Sequence, residues 1–229
     1  MIKNETYKAR RGNKLFIELS HGNKKLKENA RVSFLVWNIP AVITCPFRTP
    51  HCEGACYARK AENQYPTTCI PARQRHFEMS KQDDFVERMI YTIETELDRP
   101  KHRGKKVVFR IHESGDFYNR AYAEKWLAIM RHFEGVKNLV FVAYTKSVVY
   151  FDGLELPENF KLLASVWDDT TVANWDIIKN NNFRIYTAYT EEALQVAIAS
   201  GFSHCPCDDC ANCGKCWNDF TNHIACLIH

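Results

Sequence analysis

The sequence predicts an α/β fold, a partial (β/α) barrel with a cysteine-rich, cluster-binding C-terminal segment. Short apolar runs alternate with amphipathic helical patterns from residue 32 to residue 201. Strands alternating with helices imply right-handed βαβ units and a largely parallel sheet. Roughly five or six such units fit the length, fewer than the eight of a complete barrel, and a doubly wound sheet is the alternative. The 229 residues, 45% hydrophobic and 25% charged, have an ordinary globular composition. With no repeat, low-complexity segment or linker, they read as a single domain over 1–229. Its parts are a basic N-terminal arm over 1–30, a barrel-like core over 31–201 and the cysteine-rich segment over 202–229.

The arm carries Lys8, Arg10, Arg11, Lys14, Lys24, Lys25 and Lys27, and reads as a solvated, partly mobile stretch or as an anion contact. VSFLVWNIP (Val32 to Pro40) is the first strand, leading through AVIT into a cysteine loop. From Ile70 to Leu97, the residues Phe77, Phe85, Met89, Ile93 and Leu97 recur mostly at four- or eight-residue steps, one face of a helix or helix pair that Asp98 to Pro100 ends. A strand follows over Val107 to His112. Tyr122, Trp126, Ile129 or Met130, and Phe133 then mark a helix ending near Gly135. Leu139 to Tyr144, Leu162 to Val166 and Phe183 to Tyr189 are further strands. EEALQVAIASG is a short helix with Gly201 at its C-terminal cap, and Trp217 to Leu227 is expected to form a last helical segment.

No run approaches the ~20 apolar residues of a membrane span, and MIKNETYKARR lacks the apolar middle of a secretion signal. The expected location is the cytoplasm, without a membrane partner. Thiols stay reduced there, so the ten cysteines read as metal ligands rather than as disulfides. The formal net charge of +4 permits a nucleic-acid contact without arguing for one.

Barrels and doubly wound sheets both put chemistry at the C-terminal ends of their strands. In VVFRIHESGDF, alternation sets Val107, Phe109 and Ile111 on one face and Arg110, His112 and Ser114 on the other. Arg110 and His112 are then expected to face the interior, with Asp116, Glu113 or a bound anion pairing the arginine. The next strands end in Tyr144-Thr145-Lys146, Ser165-Val166-Trp167-Asp168 and Thr187-Ala188-Tyr189-Thr190, a recurrence that suggests a polar mouth for a small-molecule substrate. His112 is the expected acid/base group, and Lys146 an anion anchor. Arg110, Asp116 and Tyr144 would orient the substrate, and the hydroxyls of Ser114 and Ser165 would contact a cofactor.

In HCPCDDCANCGKCW, Cys210, Cys213 and Cys216 stand in overlapping C-x2-C-x2-C spacing, with Cys205 and Cys207 just before. Structural zinc sites generally use separated knuckles, whereas this spacing lets one loop wrap three corners of a [4Fe–4S] cluster. Cys205 or Cys207 could supply a fourth thiolate, and zinc is the alternative. A second group, Cys45, Cys52 and Cys56, follows the first strand in C-x6-C-x3-C spacing. Three thiolates can hold a cluster with one iron open. Cys69 is a candidate fourth ligand, His51 a weaker one, and the two groups could equally form one site. Cys226 has no neighbour at ligand spacing and reads as a core residue.

Three cysteines after the first strand of a β/α barrel is the arrangement of radical S-adenosylmethionine enzymes. The loop departs from their usual C-x3-C-x2-C pattern and no Gly-Gly-Glu follows, so the motif supports S-adenosylmethionine only weakly. CYA (Cys56 to Ala58), RIHESGDF (Arg110 to Phe117), AYTKS (Ala143 to Ser147) and the final HCP…C..C..CW together resemble the phage "gene product 88" family over roughly residues 30 to 220. The resemblance implies a phage origin, hence the host cytoplasm, a radical-SAM-like barrel, and iron–sulfur ligation by Cys205, Cys210, Cys213 and Cys216. The expected function is an iron–sulfur enzyme, radical-SAM-like or redox, with one or two clusters and an electron donor. The alternative is a non-catalytic, metal-stabilised module that binds nucleic acid or a host protein.

Overall fold

Seven strands pair in parallel throughout, in the order β1-β2-β3-β4-β5-β7-β6, in the computed structural model, which describes residues 6–20, 22–206, 208–218 and 222–228. The strands are β1 (Val32–Trp37), β2 (Lys106–Ile111), β3 (Leu139–Thr145), β4 (Phe160–Val166), β5 (Arg184–Tyr189), β6 (Ser203–His204) and β7 (Ile224–Leu227). Strands one to five lie side by side in chain order. The chain therefore winds in one direction and the sheet curls into a half-barrel, the partial barrel expected, and the doubly wound alternative is set aside.

The helices are α1 (Tyr7–Arg11), α2 (Pro50–Gly54), α3 (Tyr57–Gln64), α4 (Cys69–Lys81), α5 (Phe85–Leu97), α6 (Arg120–His132), α7 (Val172–Asn180), α8 (Glu191–Ala199) and α9 (Cys210–Cys213). None is long and apolar enough to cross a membrane. Alternation splits the strand residues between two cores. Leu35, Trp37, Phe109, Ile111, Phe141 and Leu162 point outward beneath α5 and α6, against Phe85, Met89, Ile93, Tyr122 and Trp126. Phe34, Val108, Val140, Val142, Leu163 and Ile224 point to the concave side, where they meet Ala211, Cys216 and Trp217 of the cysteine-rich segment. That segment fills the trough of the half-barrel, and the Trp217 ring stands edge-on to Phe34 at 5.5 Å.

Two expectations are corrected. The described part of the N-terminal arm is not a loose stretch. Arg10 and Ile17 are buried, Arg10 pairs with Asp98, and the Ile17 amide donates to Thr92 Oγ1 at 2.8 Å. The C-terminal helix expected over Trp217 to Leu227 is instead strand β7, which slots between β5 and β6. Its apolar run is too short for periodicity to tell helix from strand.

Candidate functional site: a cysteine-lined cavity at the strand ends

The loop after β1 is built by local capping. Thr49 caps α2, taking the Cys52 amide at 3.3 Å, and Cys56 stands at the N-cap of α3. Val42 is held at φ 68°, unusual for a β-branched residue, and the Cys45 amide donates to its carbonyl at 3.0 Å. The loop after β2 leans on this one. Asn38 Oδ1 accepts the amides of Glu113 and Ser114 at 2.8 and 3.0 Å. The Ser114 hydroxyl donates to the Ile39 carbonyl at 2.9 Å, so it joins the two loops. At Gly115, with φ +82°, a Cβ would lie 2.4 Å from Ile39 Cγ1, which makes glycine obligatory.

The C-terminal cysteines arrive over the same spot. Asp209 caps the single turn α9 through the Asn212 amide, and Gly214 at φ +65° turns the chain out of it. The Cys210 amide donates to the Lys25 carbonyl at 2.9 Å, and that of Cys205 to the Ala225 carbonyl at 2.7 Å. Cys45, Cys52 and Cys56 from one end of the chain, and Cys205, Cys210, Cys213 and Cys216 from the other, consequently line one cavity of about 550 Å³. Cys69 begins α4 and is not on its wall; Cys207 lies outside the described residues. Cys226, expected in the core, is buried but also on the wall, its sulphur 3.1 Å from the Tyr186 hydroxyl. Sequence alternation could have found it, had the terminal run been read as a strand.

All nine described cysteines are unbridged. Burial, and then the Asp116 charge, push the Cys45 thiol up to about 12. Burial also raises Cys216, against the hydrogen bond from Tyr144 and the Arg110 charge, which lower it. Among the described residues no three cysteine sulphurs lie within 4.8 Å of one another.

Arg110 faces this cavity, as expected, yet without the expected carboxylate. Its guanidinium lies 3.7 Å from the Tyr144 ring centroid, its Nε donates to the His112 carbonyl at 3.4 Å, and no ion pair forms among the described residues. Glu113 is near enough only for a longer-range attraction. Both Asp116 oxygens are engaged elsewhere, by Thr145 Oγ1 and the amides of Phe117 and Lys146, so Asp116 anchors the turn to the end of β3. Burial raises its carboxyl and those three donors oppose the rise. Lys146 Nζ donates to Ser165 Oγ at 2.8 Å, so Ser165 is bound to that lysine at the cavity wall.

His112 departs from the expected parity. The strand ends at Ile111, and φ 62° at His112 turns its ring into the outer core, against Phe117 and Tyr122. The indole N–H of Trp37 donates to the Tyr122 hydroxyl at 3.0 Å, leaving that hydroxyl to donate to His112 Nε2 at 2.9 Å. This network favours a neutral ring with its proton on Nδ1, a buried donor that has no partner among the described residues. Burial, then the Arg110 charge, lower its pKa to about 3. At the rim, His51 Nδ1 meets Asp168 at 2.5 Å and the His51 amide donates to Asp169, tying the first cysteine loop to the loop after β4.

Comparison with known proteins bears on this arrangement. No solved structure matches the chain. A protein described as "Gene 88 protein" from Mycobacterium phage D29 is 25% identical over 192 residues, 76% of this chain and 78% of that protein. The profile of the family described as "Gene product 88" matches residues 15–219, a span that takes in both cysteine groups and every strand but β7. The chain belongs to the gene product 88 family of phage proteins.

Proposed function

We propose that the chain is an iron–sulfur protein, a redox or radical-SAM-like enzyme whose cluster sits in the cysteine-lined cavity and serves a small substrate there. The observation that carries this reading is the convergence of seven thiols from opposite ends of the chain on one cavity at the strand ends. The donor set fits the group. Thiolates are the soft ligands that iron–sulfur clusters and zinc both take. A single zinc at about 2.3 Å from tetrahedral thiolates draws their sulphurs to within about 4 Å of one another. Among the described residues no three cysteine sulphurs come that close together, which suits a wider, polynuclear cluster better than one zinc. Cys205, Cys210, Cys213 and Cys216 would hold one cluster, and Cys45, Cys52 and Cys56 a second or an extension of the first.

A cluster in that place supplies electron transfer or, at an open iron, a Lewis-acidic contact. The chain's own residues do the rest. Arg110, Tyr144 and Lys146 present charge and aromatic surface to whatever enters. Asp116 and Asn38 fix the turn that carries Arg110's neighbours. His112, neutral and with Nε2 engaged, can offer only its Nδ1 hydrogen, so it positions rather than exchanges protons. S-adenosylmethionine belongs to the radical reading alone. The packing of Cys216 and Trp217 into the trough favours, as a second reading, a cluster that serves only to hold the fold.

Anaerobic purification followed by iron and acid-labile sulfide determination tests the proposal. Stoichiometric iron and sulfide, visible absorbance that bleaches with dithionite, and their loss in Cys213→Ser are the expected results. Colourless protein carrying zinc, or neither element, overturns it. Cleavage of S-adenosylmethionine by the reduced protein separates the radical enzyme from the other two readings.

A further inference from the structure

The cavity wall carries more cationic than anionic side chains. Six cationic side chains line it against four carboxylates, and those four are already engaged. Asp116 takes three donors, Asp209 caps α9, Asp208 takes the Asp209 amide and Glu113 takes the Asn23 amide. Arg110 is the clearest case. Its guanidinium carbon lies 3.7 Å from the Tyr144 ring centroid, and among the described residues only Nε has a partner, at a long 3.4 Å. Both terminal nitrogens, with four N–H groups, have none among the described residues. Lys146 adds a cation 5.8 Å from the Trp167 ring centroid, with a serine hydroxyl as its partner and no ion pair among the described residues.

We propose that this cavity binds a small oxyanion, a carboxylate or a phosphate, on the edge of the Arg110 guanidinium, with Lys146 as the second cation. An oxyanion carries what the wall lacks, several acceptor lone pairs and negative charge. The guanidinium edge matches two of its oxygens at once, a geometry that an ammonium cannot copy. The cavity of about 550 Å³, shared with the cluster proposed above, lies within the range of small-molecule sites, and Tyr144, Tyr186 and Trp167 line it for an organic remainder. The inference deepens the function proposed above and rests on it for the chemistry done on the bound anion. Binding itself does not depend on a cluster.

Calorimetric titration of the anaerobically purified full chain with malonate and, separately, with inorganic phosphate tests it. One saturable site per chain for at least one probe is expected, and the preferred probe tells carboxylate from phosphate. Arg110→Gln should weaken binding about tenfold to a hundredfold, the worth of a charged hydrogen-bonded contact. Arg110→Lys, which keeps the charge, should still lose binding because the fork is gone, and Lys146→Gln should weaken it without abolishing it. Iron and sulfide per chain should stay at the wild-type value in all three. No binding of either probe at millimolar concentration, or unchanged binding in Arg110→Gln, overturns the inference. Loss of iron in Arg110→Gln also overturns it, since the guanidinium would then serve the cluster. Wild-type protein without iron that still binds through Arg110 sinks the function proposed above and leaves this inference standing.

Discussion

Gly115 is where a single added carbon should be felt most. The missing Cβ would press on Ile39 and Thr44 at 2.4 and 2.6 Å, and φ +82° is strained for any other residue. Gly115→Ala should therefore cost about 2–4 kcal/mol by urea unfolding, overpacking and backbone strain together. A change within 0.5 kcal/mol, the size of a typical surface substitution, would show that the two loops do not meet this closely. His112 makes a pH prediction of known sign. Its folded pKa, about 3, lies below the ordinary value of 6.5, so the unfolded chain takes up a proton that the fold refuses. Stability is complete above pH 6.5 and falls towards pH 3 by about 1.4 kcal/mol per unit. His76, lowered mainly by burial, adds in the same direction. His112→Asn should flatten that slope, read as unfolding free energy against pH. The same residue marks how far the site was legible. The cysteine spacings and the polar strand ends could be read because they are local patterns. A histidine turning to the opposite face through a positive φ, and an Asn38 that gathers two amides from a loop 75 residues away, leave no local trace.

At the scale of elements, the apolar periodicity located five strands, together with α4, α5, α6 and α8, to within about three residues. The helical stretch from Ile70 to Leu97 resolves into α4 and α5, broken over Gln82 to Asp84. What escaped were the short pieces. α2 and α3 hide in the cysteine loop, and α7 has nine residues with one fully buried, Ile178, so no apolar stripe announces it. β7 escaped because its place between β5 and β6 is a tertiary choice, with Tyr186 opposite Ile224 and Ala188 opposite Cys226. The N-terminal segment failed differently, since its basic residues suggested a solvated face while Ile17, 1% exposed, holds it to α5. Ile17→Ala should therefore destabilise the whole domain by about 2–4 kcal/mol. On a loose arm the same change would be silent, and chemical unfolding of the full chain distinguishes the two.

The whole molecule is a half-barrel with its helices outside and its cysteine segment inside, and this asymmetry determines how it should come apart. The outer core is continuous across Trp37, Phe85, Tyr122, Trp126, Phe109 and Phe141, each ring in contact with the next beneath two long helices. The inner core depends on a segment whose regular structure before β7, among the described residues, is a two-residue strand and one helical turn. Trp217 and Cys216 are buried there, and the described bonds from their segment to the rest of the fold include Cys210 to Lys25, Asn212 to Asn29, and Arg184 to Lys215. A metal group bound by Cys205, Cys210, Cys213 and Cys216 would hold that backbone in place, as ligation stabilises whichever state contains the site. Removing metal with a chelator under reducing conditions should then free the segment and expose Phe34, Val108, Val142 and Leu163. Dye binding to apolar surface should rise, and amide exchange should quicken in residues 203–206, 208–218 and 222–227. Residues 85–97 and 120–132, buried on the opposite side, should keep their protection. Uniform loss of protection would mean that the two cores unfold as one unit. No change at all would mean that Trp217 and its neighbours hold the trough closed without ligation, and that the thiols there serve chemistry alone.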